Sequence, residues 1–306
     1  MSCRVGCIGS LLYATPFSPA SGSTRGKPDI TMPTMTAPTP LALGTLLLTG
    51  AAGTLGRTLA SPLRSACRHL ILSDLAAPLA ALGLTEALPC DLADAAAVHG
   101  LLQGVDAIVH LGGVSVEGPF EPILQANIRG LHHLYEASRR HGVKRIVFAS
   151  SNHVTGCYAQ AQTISPQDPP RPDGNYGLSK LFGEGLASLY WDRYGIETVC
   201  LRIGTATAED RPPDRRALAS WLSLRDLAQL VIAALTAPGV GFLVAYGCSA
   251  NTRRWWDSEA AWQRLGYRPQ DNAEVYAEQV QQLEQPEGPR RVLQGGAFLG
   301  AGPYDD

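Results

Sequence analysis

Short apolar runs, each ending at glycine or polar residues, recur along the chain from residue 42 onwards. Continuous apolar runs of this length are typical of strands that are buried on both faces of a parallel sheet. Segments with helical periodicity follow them, and this alternation predicts a doubly wound α/β fold with right-handed crossovers. The predicted strands are Leu43–Thr49, His69–Ser73, Ala87–Cys90, Asp106–Leu111, Arg145–Ala149 and Glu197–Ile203.

The two ends of the chain differ from this pattern. Residues 1–41 are rich in Ser, Thr, Pro and Gly and have neither helical nor strand periodicity, so we predict a disordered leader there. Residues 204–306 predict short helices and strands, which form a small lobe over the crevice of the sheet. We therefore predict a single domain over residues 42–306, with the small lobe formed mainly by residues 204–306.

A glycine-rich turn follows the first predicted strand. Gly50, Gly53 and Gly56 stand between that strand and a predicted helix, Arg57–Arg68. Glycines let the backbone approach a pyrophosphate, and the free N–H groups at a helix N-terminus favour its charge. Taken alone, this G-x-x-G-x-x-G spacing is equally compatible with a helix-capping turn. The order of strand, glycine turn and helix is nevertheless the one that a Rossmann-type dinucleotide-binding domain requires.

Asp74 ends the second predicted strand, about two dozen residues after the first glycine. A carboxylate at this place accepts hydrogen bonds from both ribose hydroxyls and repels a 2'-phosphate, so we predict NAD and not NADP as the cofactor. The remaining residues predicted to bind the cofactor are Thr54 and Leu55 in the glycine turn, Asp91 and Leu92 near the adenine, Leu111, Gly112 and Gly113 at the end of the fourth strand, and Tyr176 and Lys180.

Tyr176 and Lys180 are four residues apart, which places both side chains on one face of a helix. A free tyrosine titrates near ~10, so it acts as a base near neutral pH only where a positive charge favours the phenolate. Lys180 would supply that charge, and Ser151 would hydrogen-bond the substrate oxygen that loses its proton. The Y-x-x-x-K pattern alone is more often a solvated helix face. It becomes specific in the company of the glycine turn, Asp74 and Ser151.

Composition and charge exclude several classes of protein. A net charge of -2 without a basic cluster gives no electrostatic case for nucleic acid or for an anionic membrane as a partner. No apolar run approaches the ~20 residues that span a bilayer. The seven cysteines are scattered, without C-x-x-C pairs or metal-like spacing with the histidines. We therefore expect a cytoplasmic protein with reduced thiols and no metal site.

Two polar features inside the predicted helix Pro122–His141 receive no direct role. Asn127 lies within the helix, where asparagine is usually solvated or bonded to its own backbone, so we assign it an indirect role at most. His132 and His133 are interpreted as packing residues and not as ligands.

With these residues in order, the chain resembles the extended short-chain dehydrogenase/reductase superfamily. Within it, five further runs carry a narrower resemblance: His110–Glu117, Ser150–His153, Arg171–Gly174, Arg202–Gly204 and Gln294–Gly296. These runs resemble the bacterial NAD-dependent uronate dehydrogenases, and the similarity extends from about Leu46 to Phe298. The resemblance implies oxidation of C1 of a cyclic uronic acid, galacturonate or glucuronate, to an aldarolactone with reduction of NAD. Members of the superfamily often associate through helices beside the active site, so the resemblance also implies a homo-oligomer.

The resemblance also implies roles for single residues. Tyr176 would remove the proton of the anomeric hydroxyl as hydride leaves C1 for the nicotinamide, and Ser151 would orient that oxygen. Lys180 would lower the pKa of the phenol and hold the nicotinamide ribose. The residues implied in binding the substrate, besides Ser151 and Tyr176, are Ser115, Asn152, His153, Thr205 and Arg216.

The carboxylate of the sugar would be held by Arg216, because a planar guanidinium meets a carboxylate with two parallel hydrogen bonds. This chain departs from the family nearby. Thr205 replaces a serine of the family, and the loop from Thr205 to Trp221 is one residue longer and contains three arginines. Counting back from Trp221 favours Arg216, and Arg215 is the alternative. A third alternative is that both are solvated surface charges.

Two other functions are compatible with parts of the pattern. A nucleotide-sugar epimerase or dehydratase of the same superfamily needs a large lobe for a nucleotide diphosphate, whereas only about a hundred residues follow Arg202. An NAD-binding regulator needs no catalytic residues, whereas Ser151, Tyr176 and Lys180 are all present.

Overall fold

The structure is a computed structural model that describes residues 43–283, Gly288 and residues 292–304. The predicted leader over residues 1–41 lies outside the described residues. The strands are β1 (Leu43–Thr49), β2 (Cys67–Asp74), β3 (Leu88–Pro89), β4 (Ala107–His110), β5 (Arg145–Ser151), β6 (Glu197–Ile203) and β7 (Phe242–Gly247). These seven strands form one fully parallel sheet in the order β3-β2-β1-β4-β5-β6-β7.

The strand order confirms the predicted doubly wound, Rossmann-type fold. From β1 the chain proceeds outwards to β2 and β3, returns to β4 on the other side of β1, and continues to β7. Ligands of open parallel sheets bind beyond the carboxyl ends of the strands, where the strand order reverses. At this reversal Thr49 of β1 pairs with His110 of β4. The turns that follow these two strands therefore face the same crevice.

Helices cover both faces of the sheet. The helices are α1 (Thr54–Ala66), α2 (Ala76–Ala81), α3 (Ala95–Leu101), α4 (Phe120–Ile123), α5 (Gly130–His141), α6 (Asn175–Tyr194), α7 (Ala217–Ser220), α8 (Leu224–Thr236), α9 (Glu259–Leu265) and α10 (Ala277–Gln281). Buried apolar side chains of α1, α8 and α9 pack in one core, and those of α3, α5 and α6 pack in a second core.

The helix predicted over Pro122–His141 differs from the observed structure. The chain forms α4, then a π-helical turn over Leu124–Arg129, and then α5. Asn127 lies in the π-turn with its side chain buried, and it bonds the backbone N–H and carbonyl of Val114 at 2.8 and 2.9 Å. It also donates to Ser179 Oγ of α6 at 2.9 Å. The general expectation of a solvated or locally bonded asparagine is therefore wrong here, because the π-turn directs Asn127 towards a distant loop.

The part of the chain after β6 adds β7 to the sheet edge and then α9 and α10.

In the described part of the chain, no helix has the length and apolar character needed to cross a membrane. Within the same residues, no group of three or more His, Cys, Asp and Glu side chains could hold a metal ion.

Candidate active site

The carboxyl ends of the central strands surround an open cavity of about 700 Å³. A second cavity of about 170 Å³ adjoins it and shares Gly50, Asp74, Gly112 and Gly113 with it. The structure brings every predicted site residue to one of these two cavities. The larger cavity is lined by Gly50, Gly53, Thr54, Leu55, Gly56, Asp74, Leu111, Gly112, Gly113, Ser115, Ser151, Asn152, His153, Tyr176, Lys180, Thr205 and Arg216, and the smaller adds Asp91 and Leu92.

The glycine turn has the close backbone contacts that its sequence predicts. Gly50 has a positive φ of 74°, and a Cβ there would lie 2.7 Å from the carbonyl carbon of Leu111. A Cβ on Gly56 would lie 2.1 Å from the carbonyl oxygen of Gly50. The turn after β1 therefore requires glycine, and it presents bare backbone and the N-terminus of α1 to the cavity, which suits a pyrophosphate.

Asp74 closes the other side of the cofactor cleft. Its Oδ2 accepts the Ala52 N–H at 2.9 Å and its Oδ1 accepts the Leu75 N–H at 2.7 Å, so the carboxylate is fixed at the cavity wall. A carboxylate oxygen has further acceptor capacity, which two ribose hydroxyls can use. Asp91 and Leu92, which we predict to lie near the adenine, line the adjoining small cavity. These residues fit NAD.

Tyr176 and Lys180 lie on the first turns of α6 and are both buried. The Lys180 ammonium lies 5.5 Å from the centre of the Tyr176 ring and 5.1 Å from that of Phe148. Burial raises the pKa of Tyr176 to about 12, although a hydrogen bond with Ser151 opposes this shift. Burial also lowers the pKa of Lys180 to about 8. The pKa of the phenol is thus raised in this structure, with burial as the largest cause and the charge of Asp173 as a further one. The role of Lys180 in lowering that pKa stays a prediction.

The N-terminus of α6 is held by Glu117, which comes from the loop after β4. The first N–H groups of a helix have no partner within the helix. Here the carboxylate oxygens of Glu117 accept the N–H groups of Asn175 and Tyr176, each at 2.9 Å. Since Asn127 fixes Val114 in the same loop, the predicted substrate residue Ser115 lies between two anchored residues.

Arg216 lines the cavity, whereas Arg215 is exposed and donates a hydrogen bond to the carbonyl of Gln281. Arg216 donates through Nε to the carbonyl of Gln294 and through Nη1 to Thr205 Oγ1 at 3.1 Å. Burial lowers its pKa, and the nearby carboxylates of Asp214 and Asp173 oppose that shift. Of the two candidates for binding a carboxylate, this geometry favours Arg216.

His153 follows β5 and is held on two sides. Its Nδ1 hydrogen-bonds Asp173 Oδ2 at 2.7 Å. The Phe298 ring stacks on the imidazole with the ring centres 3.8 Å apart and the planes 10° apart. The ring of Tyr176 lies edge-on to His153, with the centres 5.8 Å apart. The cavity therefore combines a tyrosine, a lysine, a fixed histidine and a half-buried arginine at the end of a dinucleotide cleft.

Known proteins are similar to this chain in sequence. Residues 46–223 match the NAD dependent epimerase/dehydratase family. The uronate dehydrogenase of Pseudomonas syringae pv. tomato is 53% identical over 264 residues, which cover 85% of this chain and 95% of that protein. The chain belongs to the uronate dehydrogenase family.

Solved structures of uronate dehydrogenases have the same fold. The glucuronic acid dehydrogenase of Chromohalobacter salexigens has a TM-score of 0.80 and 47% identity, covering 85% of this chain and 98% of that one. A tyrosine-to-alanine variant of the Agrobacterium tumefaciens uronate dehydrogenase, complexed with NAD, has a TM-score of 0.79 and 43% identity. The match covers 87% of this chain and 100% of that one. The predicted resemblance to uronate dehydrogenases is confirmed.

Sequence reasoning missed three side chains of this site. Glu117, Asp173 and Phe298 each lie within or beside a run that resembles the uronate dehydrogenases, yet none of them received a role. The available signal was position alone: Asp173 stands three residues before Tyr176, and Phe298 stands two residues after Gly296. Their partners lie far away in the sequence or on another element, so the contacts emerge only in the folded chain.

Proposed function

We propose that the chain oxidises C1 of a cyclic uronic acid, D-galacturonate or D-glucuronate, to the aldarolactone with reduction of NAD. One observation carries this proposal. Tyr176, Ser151 and Lys180 line the same cavity as the half-buried side chain of Arg216, and that cavity continues to the glycine turn and Asp74. A base, a carboxylate-binding group and a dinucleotide cleft therefore meet in one place. A nucleotide-sugar epimerase is disfavoured, because the relatives with about half of their residues identical are uronate dehydrogenases.

The proposed chemistry assigns the proton to Tyr176. NAD, when bound, supplies the acceptor for the hydride of C1. Ser151 holds the C1 hydroxyl beside the phenol, and Tyr176 takes the proton of that hydroxyl as a general base. The hydrogen bond with Ser151 favours the phenolate against the effect of burial. The Lys180 ammonium, 5.5 Å from the ring centre, adds a positive charge that favours the phenolate as well.

Substrate binding is proposed for the side chains around this base. Ser115, Asn152 and His153 would bind sugar hydroxyls, and Arg216 would bind the carboxylate, with Thr205 beside it. Thr205 and Arg216, together with Gly295 and Phe298 of the same cavity wall, come from residues 204–306, which supports a substrate lobe there. The homo-oligomer and the cytoplasmic location stay predictions.

Absorbance of NADH tests the proposed reaction. Purified protein is mixed with NAD and, in separate wells, with galacturonate, glucuronate, galactose, glucose or a UDP-sugar. We expect turnover with at least one uronate and none with the neutral sugars or the UDP-sugar, and weaker turnover with NADP because Asp74 repels its 2'-phosphate. If neither uronate gave NADH in protein shown to bind NAD, the assignment of the substrate would be wrong. Equal rates with galactose would remove the role of a carboxylate-binding group.

Replacing Arg216 with alanine should raise the KM for the uronate by about 10- to 100-fold, because charge-assisted hydrogen bonds contribute about 1.5–3 kcal/mol. The KM for NAD should stay within about twofold, since Arg216 is proposed to contact the sugar alone. Arg215→Ala is the matched control, because it removes the neighbouring guanidinium, which is exposed and bonded to a backbone carbonyl. A large rise in KM from Arg215→Ala together with a normal Arg216→Ala would reverse the assignment.

A further inference from the structure

Asp173 is a buried carboxylate beside the substrate cavity. Its side chain is 0% exposed. The space around it is shaped by glycines, since a Cβ on Gly156 would lie 1.8 Å from Asp173 Oδ2 and a Cβ on Gly295 would lie 1.9 Å from it. Oδ1 has no hydrogen-bond partner among the described residues. Burying a carboxylate with so few partners is costly, so its presence is not explained by stability.

Oδ2 of this carboxylate hydrogen-bonds His153 Nδ1. An ionised carboxylate only accepts hydrogen bonds, so the 2.7 Å contact requires a proton on His153 Nδ1. In a neutral imidazole the other nitrogen, Nε2, is then an acceptor with a lone pair. Among the described residues, Nε2 makes no hydrogen bond, and His153 lines the cavity. The hydrogen bond with Asp173 therefore determines that His153 offers a ligand an acceptor, and not a donor, at Nε2.

The imidazole is fixed in position as well as in tautomer. Phe298 covers one face of the ring at 3.8 Å, and Asp173 holds the edge that carries Nδ1. The backbone N–H of His153 donates to Ser151 Oγ at 3.2 Å, which connects the ring to the proposed catalytic hydroxyl. A histidine restrained in this way presents Nε2 at one place near Tyr176. A flip of the ring that exchanged Nδ1 for Nε2 would break the hydrogen bond between Nδ1 and Asp173.

We propose that Asp173 is a positioning residue that holds His153 in the Nδ1–H tautomer, so that Nε2 accepts a hydrogen bond from a hydroxyl of the sugar ring. This inference rests on the proposed function, which supplies the sugar. It gives the cavity a defined polarity: at this place the ligand must donate. A ring position that carries a keto oxygen, an ether or fluorine in place of the hydroxyl loses the contact, because none of these groups has a proton to donate.

Nitrogen NMR of the wild-type protein reads the tautomer directly. The protein is labelled with ¹⁵N in its histidine rings, and His153→Ala identifies the signals of that ring among the seven histidines. We expect a protonated Nδ1 and a bare Nε2 for neutral His153. In Asp173→Asn, whose amide offers Nδ1 either a donor or an acceptor, we expect protonated Nε2 to appear. A proton on Nε2 in the wild-type protein would overturn the proposal, and this readout needs no turnover.

Kinetics then separate positioning from folding. We expect Asp173→Asn to raise the KM for the uronate by about 10- to 100-fold, as for an unmade buried hydrogen bond, with the KM for NAD within about twofold. In a His153→Ala background the same change should add less than about twofold, because Asp173 then has no imidazole to hold. An equal loss in both backgrounds would overturn the proposal.

Asp192→Asn is the matched control for this substitution, since it makes the same chemical change at an exposed position of α6 and should leave all constants unchanged. If Asp173→Asn does not fold, the ring signals of the wild-type protein still decide the tautomer. Failure of the proposed function is distinguishable, because it would show as a wild-type protein without uronate turnover whose His153 still carries the Nδ1 proton.

Discussion

Replacing Tyr176 with phenylalanine is expected to lower the turnover of the uronate by about 10²- to 10⁴-fold, the range that a positioned general base contributes. The phenyl ring keeps the packing against Phe298, whose ring centre lies 5.9 Å away, but it cannot take a proton. The affinity for NAD should remain within about twofold, because the glycine turn and Asp74 are untouched. The measurements are kcat from NADH absorbance and the dissociation constant of NADH from fluorescence titration.

Tyr194→Phe provides the control for Tyr176→Phe, since Tyr194 lies at the far end of the same helix and is 45% exposed. This variant should keep the wild-type rate. If Tyr176→Phe retained more than about a tenth of the wild-type rate, Tyr176 would not be the base. A protein that binds NAD and turns over no sugar, with or without Tyr176, would instead be a regulator, the second alternative that the sequence left open.

The cofactor half of the site could be predicted because its chemistry lies in local spacing. Gly50 and Gly56 are needed for close backbone approach within one turn, and Asp74 ends the strand that pairs directly with β1. Tyr176 and Lys180 share a helix face by the helical repeat alone. Such features depend on a few consecutive residues, so the sequence suffices to place them. The strand order then follows from the general rules for parallel sheets.

The substrate half could be predicted only in part, because its geometry depends on distant segments. His153 was identified, but its partners Asp173 and Phe298 lie 20 and 145 residues further along the chain. The effect of burial on the Tyr176 pKa was missed for the same reason, since burial is a property of the assembled cavity. The choice between Arg215 and Arg216 turned on one residue of a lengthened loop, where spacing has the least power.

A buried network beneath the site connects the catalytic helix to the sheet. Glu184, two turns after Tyr176 on α6, accepts two hydrogen bonds from Arg202 of β6, at 2.9 and 2.8 Å. It also accepts the hydroxyl of Ser150, the neighbour of Ser151 on β5, at 2.6 Å. Burial lowers the pKa of Arg202, but the hydrogen bonds and charge of Glu184 outweigh it and the pKa is raised. One carboxylate thus holds α6, β5 and β6 together.

Replacing Glu184 with alanine should lower the free energy of unfolding by about 3–5 kcal/mol, because it leaves the guanidinium of Arg202 buried without its counter-charge. Arg202 is only 3% exposed and Glu184 is 5% exposed, so water cannot take the place of the carboxylate without local opening. Activity should fall as well, since Ser150 loses the acceptor that fixes it beside Ser151. Urea unfolding followed by circular dichroism gives the free energy, and NADH absorbance gives the rate.

Glu86→Ala is the matched comparison for Glu184→Ala. Glu86 pairs with Arg64 at 3.0 Å, but the two side chains are 66% and 56% exposed, and such surface pairs contribute less than about 1 kcal/mol. Each variant loses one glutamate carboxylate that pairs with an arginine, and the two pairs differ in how deeply they are buried. A loss below about 1 kcal/mol in Glu184→Ala would mean that water reaches Arg202 in the folded protein. If Glu184→Ala shows the expected loss, replacing both Glu184 and Arg202 with methionine should restore much of the lost stability, because a well-packed apolar pair leaves no charge unpaired.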